Sequence, residues 1–203
     1  MPVVVLLWCI ATLIGTGCLA VALARRREAL NLVYSASLAA SAVALVASFA
    51  HLVAGAEIAS TITLPLGLPW LGTHFRLDAL AAFFLVVVNL GSSVASLYGL
   101  GYGRHEPAPH RVLPFFPAFL AGMNLVVLAD DAFTFLVSWE FMSLSSWALV
   151  MAHHREQDNT RAGYIYLVMA SFGTLALLLA FGLLSGPDGR DRKSTRLNSS
   201  HRL

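Results

Sequence analysis

The stretch Ala132-Phe-Thr-Phe-Leu-Val-Ser-Trp-Glu140-Phe-Met-Ser-Leu-Ser-Ser-Trp-Ala-Leu-Val-Met-Ala152 decides the fold. At about 1.5 Å per residue, a helix of this length crosses the ~30 Å hydrocarbon layer of a bilayer. It has no Gly, no Pro and a single charged side chain, Glu140.

Five more runs of the same character flank it: 2–24, 30–55, 79–102, 113–129 and 162–184. The whole chain is 58% hydrophobic and only 12% charged over 203 residues, with a mean hydropathy of +0.73. That composition excludes a disordered, collagen-like or ordinary soluble protein. Six spans of about 20 residues account for roughly 120 residues. Strand alternation does not compete with the helical runs, and open sheet edges are not viable in lipid. The expected fold is all-α, a polytopic membrane bundle of six transmembrane helices. The first run is not a secretory signal: no basic residue precedes it, and it is about twice the length of a signal's apolar region. Cys9 and Cys18 lie within it, half a turn out of phase, so they cannot bond to each other in this helix.

The arginines set the expected orientation. Loops after the first, third and fifth runs hold Arg25, Arg26, Arg27, Arg104, Arg111, Arg155 and Arg161, whereas the other side has Arg76 and Arg190. The N-terminus is therefore expected outside and the Arg-rich loops in the cytoplasm of a plasma (inner) membrane protein. The long connection from Ala56 to Asp78 would lie outside; its prolines, glycines and Trp70 suit the interface, and Glu57, Arg76 and Asp78 read as solvated or capping. The net charge of +2 comes from the last residues: 1–190 carry nine Arg against ten acids, 191–203 four basic residues against one. A nucleic-acid partner is not expected.

Within the spans, polar residues fall in stripes: Tyr34, Ser37, Ser41, Ser48 and His51 in the second run, Asp78, Asn89, Ser93 and Ser96 in the third. Such stripes are expected to be helix-packing surfaces, as are Asn124, Ser171 and Thr174. Gly99-x-Gly101-x-Gly103 follows a helix rather than a strand and reads as a helix end, not a dinucleotide cradle. Asp130-Asp131 read as caps of the fifth helix. The histidines of the inner loops, His105, His110, His153 and His154, lack a ligand constellation, so no metal is expected.

Glu140 does not fit this packing picture. It is the ninth residue of its span, ~13 Å in. A carboxylate at that depth costs about 2.5–3.5 kcal/mol or more, so it must face the interior, be paired or be protonated. A group of that kind can relay protons. Ser143 lies on its face one turn away as a possible hydrogen-bonding support, and Trp147 a further turn on. The competing reading is a permanently protonated Glu140 that ties two helices.

Met123 to His154, the stretch Ala162-Gly-Tyr-Ile-Tyr-Leu-Val-Met-Ala-Ser-Phe-Gly-Thr174, and the earlier Phe75-Arg-Leu-Asp78-Ala-Leu-Ala-Ala-Phe-Phe resemble the antiporter-like proton-pumping membrane subunits. The B component of hydrogenase-4 and the membrane subunit of formate hydrogenlyase form the most similar branch. Respiratory complex I and multisubunit sodium/proton antiporter subunits are related. Met142-Ser143-Leu144 and Tyr166-Leu167-Val168-Met169 lean to the hydrogenase branch. Ser171 and Thr174 stand where some complex I cousins carry Arg and Asp.

The resemblance implies that Glu140 is the family's proton-pathway glutamate, and that the subunit holds no redox centre or other cofactor. Electron transfer would belong to partner subunits. Family members are longer, with a broken seventh helix and buried lysines that pair with the glutamate. This chain has no Lys before Lys193 and is expected to be an N-terminal piece. The expected domain is 1–190, with 191–203 resembling the translation of a sequencing adapter. A multisubunit cation/proton antiporter or NADH-quinone oxidoreductase subunit, or a structural membrane scaffold, are the alternatives.

Overall fold

In the computed structural model, residues 1–23, 29–55, 59–65, 72–103, 109–153 and 157–185 are described. Six helices form the body: α1 Pro2–Ala22, α2 Ala29–Val53, α3 Ala79–Tyr102, α4 Phe115–Leu128, α5 Ala132–Val150 and α6 Gln157–Ser185. Six candidate spans are long and apolar enough to cross a membrane by length and composition, the fourth running from Pro109 through a 3₁₀ turn and α4 to Leu128.

Local chemistry sets their ends. Pro2 occupies the first turn of α1, where its missing N–H costs nothing. Asp78 caps α3, accepting the N–H of Ala81 at 2.9 Å. Helix α4 begins later than expected because Pro114 precedes it; a 3₁₀ turn at Pro109–Arg111 leads into it. Helix α6 begins earlier than its apolar run, adding the polar turn from Gln157 to Arg161, with Asp158 placed favourably in the first turn.

The long connection holds an element the sequence reading did not anticipate. β1 Ser60–Leu64 pairs antiparallel with β2 Thr73–Leu77, with Ile62 opposite Phe75. Five residues of alternation per strand suffice here because Phe75 and Leu77 turn inward and are buried. The backbone of Phe75 bridges to Ala129, and Asp130 donates its N–H to the carbonyl of His74 at 3.0 Å. The hairpin thus closes one end of the bundle, against the α4–α5 turn.

Helices α1 to α4 enclose the main core, in which Leu6, Leu13, Leu77, Leu85 and Leu128 are fully buried. A second cluster at the other end gathers Ala20, Leu30, Val33, Tyr34 and Leu113. Tyr34 lies directly over Gly99, where any Cβ would collide with its ring, so the glycine run that ends α3 is what admits the tyrosine. Helix α5 packs on α4 through Gly122, whose absent Cβ would sit 2.8 Å from the Cα of Met142. Helix α6 packs chiefly on α5 and presents large apolar side chains outward, Phe172 and Leu184 among them. In a membrane-spanning bundle this outward apolar surface is the face suited to lipid.

The even and odd connections separate to two ends. The hairpin meets Asp130 and Asp131 at one end. At the other, Arg111 donates to the carbonyl of Ala152 at 3.3 Å. Among the Arg-rich positions, Arg25, Arg26, Arg27, Arg104 and Arg155 lie outside the described residues, as do Glu57, Trp70 and 191–203.

Candidate functional site

Among the described residues, Glu140 is the only carboxylate more than one turn from a helix end. It is half-buried, on the side of α5 that meets α6. The hydroxyl that reaches it is that of Thr174 in α6, which donates to Oε1; the same Oγ1 lies 3.2 Å from the carbonyl oxygen of Ala170. The pairing follows from the helix register. Phe135 meets Phe181 edge to face, with ring centroids 5.9 Å apart, and the antiparallel helices then bring 140 level with 174. On the other side of that contact Phe135 stacks on Trp139 at 5.9 Å. Ser143, expected to support Glu140, is buried one turn along α5, and Trp147 is half-buried.

Two further polar arrangements lie elsewhere in the bundle. Asn89 of α3 donates through Nδ2 to Oδ1 of Asn124 of α4 at 2.7 Å, and both amides also donate to their own helices, at Leu85 and Leu120. Both side chains are buried. The sequence assigned these residues separately to packing surfaces; their pairing was not legible, because it depends on how α3 and α4 dock.

At the N-terminus of α5, Asp131 is the cap and Asp130 is not. Asp131 accepts from the N–H of Thr134 at 2.8 Å, from the Thr134 hydroxyl and from the N–H of His74 at 3.2 Å. The His74 ring nitrogen Nδ1 lies 3.3 Å from Oδ2, an electrostatic contact without the direction of a good hydrogen bond. Burial pushes the Asp131 carboxyl up, but the Thr134 and His74 donors together outweigh it and hold the group below its ordinary value. Asp130 instead faces Arg76, which also pairs with Asp78, at 3.8 and 3.4 Å. These are exposed ion pairs of small energetic weight.

The described residues contain no group of three His, Cys, Asp or Glu side chains that could hold a metal ion; His105 and His154 lie outside them. Cys9 and Cys18 are free thiols, the first buried and the second exposed.

A carboxyl in a spanning helix, held by a hydroxyl of the next helix, defines a membrane protein with an ionisable group inside the bilayer. Comparison with known proteins places it further. Residues 129–199 match the family described as NADH:quinone oxidoreductase/Mrp antiporter, TM. An uncharacterized protein of Mycobacterium tuberculosis is 34% identical over 125 residues, 62% of this chain and 20% of that protein. Hydrogenase-4 component B of Escherichia coli K12 is 38% identical over 116 residues, 56% of this chain and 17% of that protein. The fold agrees with a chain of the Mrp complex from Dietzia sp. DQ12-45-1b, at a TM-score of 0.71 and 23% identity over 91% of this chain and 20% of that one. The chain is thus similar over part of its length to membrane subunits of the hydrogenase-4, NADH-quinone oxidoreductase and Mrp antiporter kind, and it shares the fold of the Mrp complex chain. It spans about a fifth of the length of the curated relatives it matches.

Proposed function

We propose that the chain is part of a proton-translocating membrane subunit of a hydrogenase-4 or formate hydrogenlyase type oxidoreductase complex, with Glu140 as the carboxyl that takes up and releases the proton. The Glu140–Thr174 contact supports this reading. A carboxylate inside a bilayer is expensive unless donors meet it, and a hydroxyl can serve both states by donating to the ionised form and accepting from the neutral one. Ser143 is proposed as a second hydroxyl on the same face. The likeness to hydrogenase-4 component B supports the hydrogenase branch. A plasma-membrane location and partner subunits that carry the redox chemistry, this subunit holding no cofactor of its own, are part of the same proposal. The orientation with the N-terminus outside and the assignment of 1–190 to the membrane domain rest on the sequence; so does the adapter origin of 191–203. Resequencing the locus across the Arg190 codon tests the last point, and finding the tail codons in genomic DNA would overturn it.

The second reading is a subunit of a multisubunit cation/proton antiporter, favoured by the fold shared with the Mrp complex chain. Sodium dependence of proton movement separates the two readings.

The deciding experiment uses the complete protein in its complex, sealed in vesicles. Glu140→Gln keeps size and most hydrogen bonding but cannot ionise, so proton translocation is expected to collapse while assembly persists. Glu140→Asp should retain part of it. Unchanged translocation in the Gln variant would leave only the helix tie.

A further inference from the structure

A groove of about 410 Å³ opens at the hairpin end of the bundle, between the start of α3, the end of α4 and the first turn of α5. Leu80 and Phe84 of α3, Val127 of α4 and Phe135 of α5 give it apolar walls, and Arg76, Asp78 and Asp130 form its rim. The chain path explains this division. Leu80 and Phe84 stand one turn apart on one face of α3, while β2 and the α4–α5 turn carry the charged residues across the helix ends. Leu80 is 66% and Phe84 49% exposed, so the walls open sideways onto the surface that lipid covers in a spanning bundle.

The rim is charged but loosely held. Arg76 reaches Asp78 Oδ2 through Nε at 3.4 Å and Asp130 Oδ1 through Nη1 at 3.8 Å, longer than the about 2.7–2.9 Å of a charge-assisted hydrogen bond. The three side chains are well exposed, so exchanging these contacts for others costs little. Asp78 caps α3 with Oδ1 and leaves Oδ2 to the rim. One guanidinium against two carboxylates leaves negative charge in excess. A ligand that fits must therefore bring a cationic donor for the carboxylates, an anionic acceptor for Arg76 and an apolar chain for the walls. A bare cation meets the carboxylates alone, an anionic lipid is repelled by them, and an apolar helix leaves the whole rim unmet. A zwitterionic lipid meets all three demands. Of the zwitterions, a primary ammonium has three N–H donors with which to span two carboxylates, whereas a choline headgroup has none.

We propose that this groove binds a phosphatidylethanolamine molecule. Its ammonium donates to Asp78 and Asp130, its phosphate accepts from Arg76, and the upper part of an acyl chain lies against Leu80, Phe84, Val127 and Phe135. The site depends neither on the orientation of the bundle nor on a proton-carrying Glu140.

The test uses the complete protein in its native complex, purified in detergent, stripped of lipid and titrated with dioleoyl phosphatidylethanolamine, phosphatidylcholine or phosphatidylglycerol while its thermal unfolding is followed. Half-maximal stabilisation by the ethanolamine lipid is expected at a concentration about tenfold below that of the other two, the factor that one charge-assisted hydrogen bond supplies. Arg76→Gln and Asp130→Asn should each abolish that preference, read as the difference between lipids within one variant. Equal responses to the three lipids would overturn the proposal, as would a preference that survives in both variants. Should the variants fail to assemble, electron cryomicroscopy of the unaltered complex in nanodiscs of mixed ethanolamine and choline lipids decides. Lipid density with its phosphate at Arg76 is expected, and a groove that is empty or filled by a protein helix would overturn the proposal.

Discussion

Thr174 donates its hydroxyl to Oε1 of Glu140 across the α5–α6 interface. The contact makes Thr174 a positioning residue for the carboxyl, and it predicts a graded phenotype. Thr174→Val keeps the shape and removes the donor. A hydrogen bond to a charged group is worth about 1.5–3 kcal/mol, so translocation in the intact complex should fall by roughly tenfold or more. Thr174→Ser should restore most of it. A Val variant with wild-type rate and wild-type pH profile would reduce the contact to packing.

The amide pair predicts a different signature. Asn89 and Asn124 bond to each other at 2.7 Å while buried, so Asn89→Ala or Asn124→Ala each strands the remaining amide in the bundle. Interhelical bonds of this kind contribute about 0.5–2 kcal/mol in membranes. Each single variant should lower the unfolding midpoint in detergent, and the double variant should cost less than the sum of the two. Strict additivity would show that the pair does not couple α3 to α4.

The six spans were legible because apolar length against bilayer thickness is a one-dimensional quantity, and Glu140 stood out because a lone carboxylate in such a run is costly wherever the helix packs. The partners were not legible. Thr174 read as a packing residue because nothing in α6 says which of its faces meets α5. The Asn89–Asn124 bond needs two docked helices 35 residues apart in sequence. The hairpin was missed because Ser60–Leu64 and Thr73–Leu77 are short and flanked by Pro and Gly, and only the burial of Phe75 and Leu77 against the core turns their alternation into strands. Of the two adjacent aspartates, Asp131 became the cap because its backbone is extended at that position, while Asp130 was drawn to Arg76.

Asp131 predicts an acid limb of stability. Its carboxyl is held below the ordinary 3.8 by the Thr134 and His74 donors, which outweigh its burial. A folded-state value below the unfolded one means that the ionised form stabilises the fold above about that ordinary value, and that this contribution is lost as pH falls through the folded value. Asp131→Asn can still cap the helix but cannot ionise. At neutral pH the variant should unfold at a lower temperature than the parent, and the two curves should converge in strong acid. A gap that stays constant with pH would show that the charge contributes nothing.

Gly99 predicts a steric limit at the opposite end of the bundle. Any side chain there meets the ring of Tyr34, which itself packs against Phe116 with centroids 5.1 Å apart. Overpacking of this kind typically costs about 1–3 kcal/mol. Gly99→Ala should therefore lower the Tm of the assembled protein, and Tyr34→Leu in the same chain should recover part of the loss by freeing the space. If Gly99→Ala were stabilising, as helix propensity alone would have it, the close approach of Tyr34 would be wrong.

The last prediction concerns which end of the bundle faces the cytoplasm. The structure separates the hairpin end from the end where Arg111 meets Ala152, and the sequence loads the second end with seven arginines. Arginine in short loops stays on the cytoplasmic side, so the hairpin should face out. Thr61 is exposed on β1, and Asp158 is exposed in the first turn of α6. In a complete protein with Cys9 and Cys18 replaced by Ala, Thr61→Cys should react with a membrane-impermeant thiol reagent added to intact cells. Asp158→Cys should react only after the cells are opened. The reverse pattern would invert the bundle and put the hairpin on the cytoplasmic side.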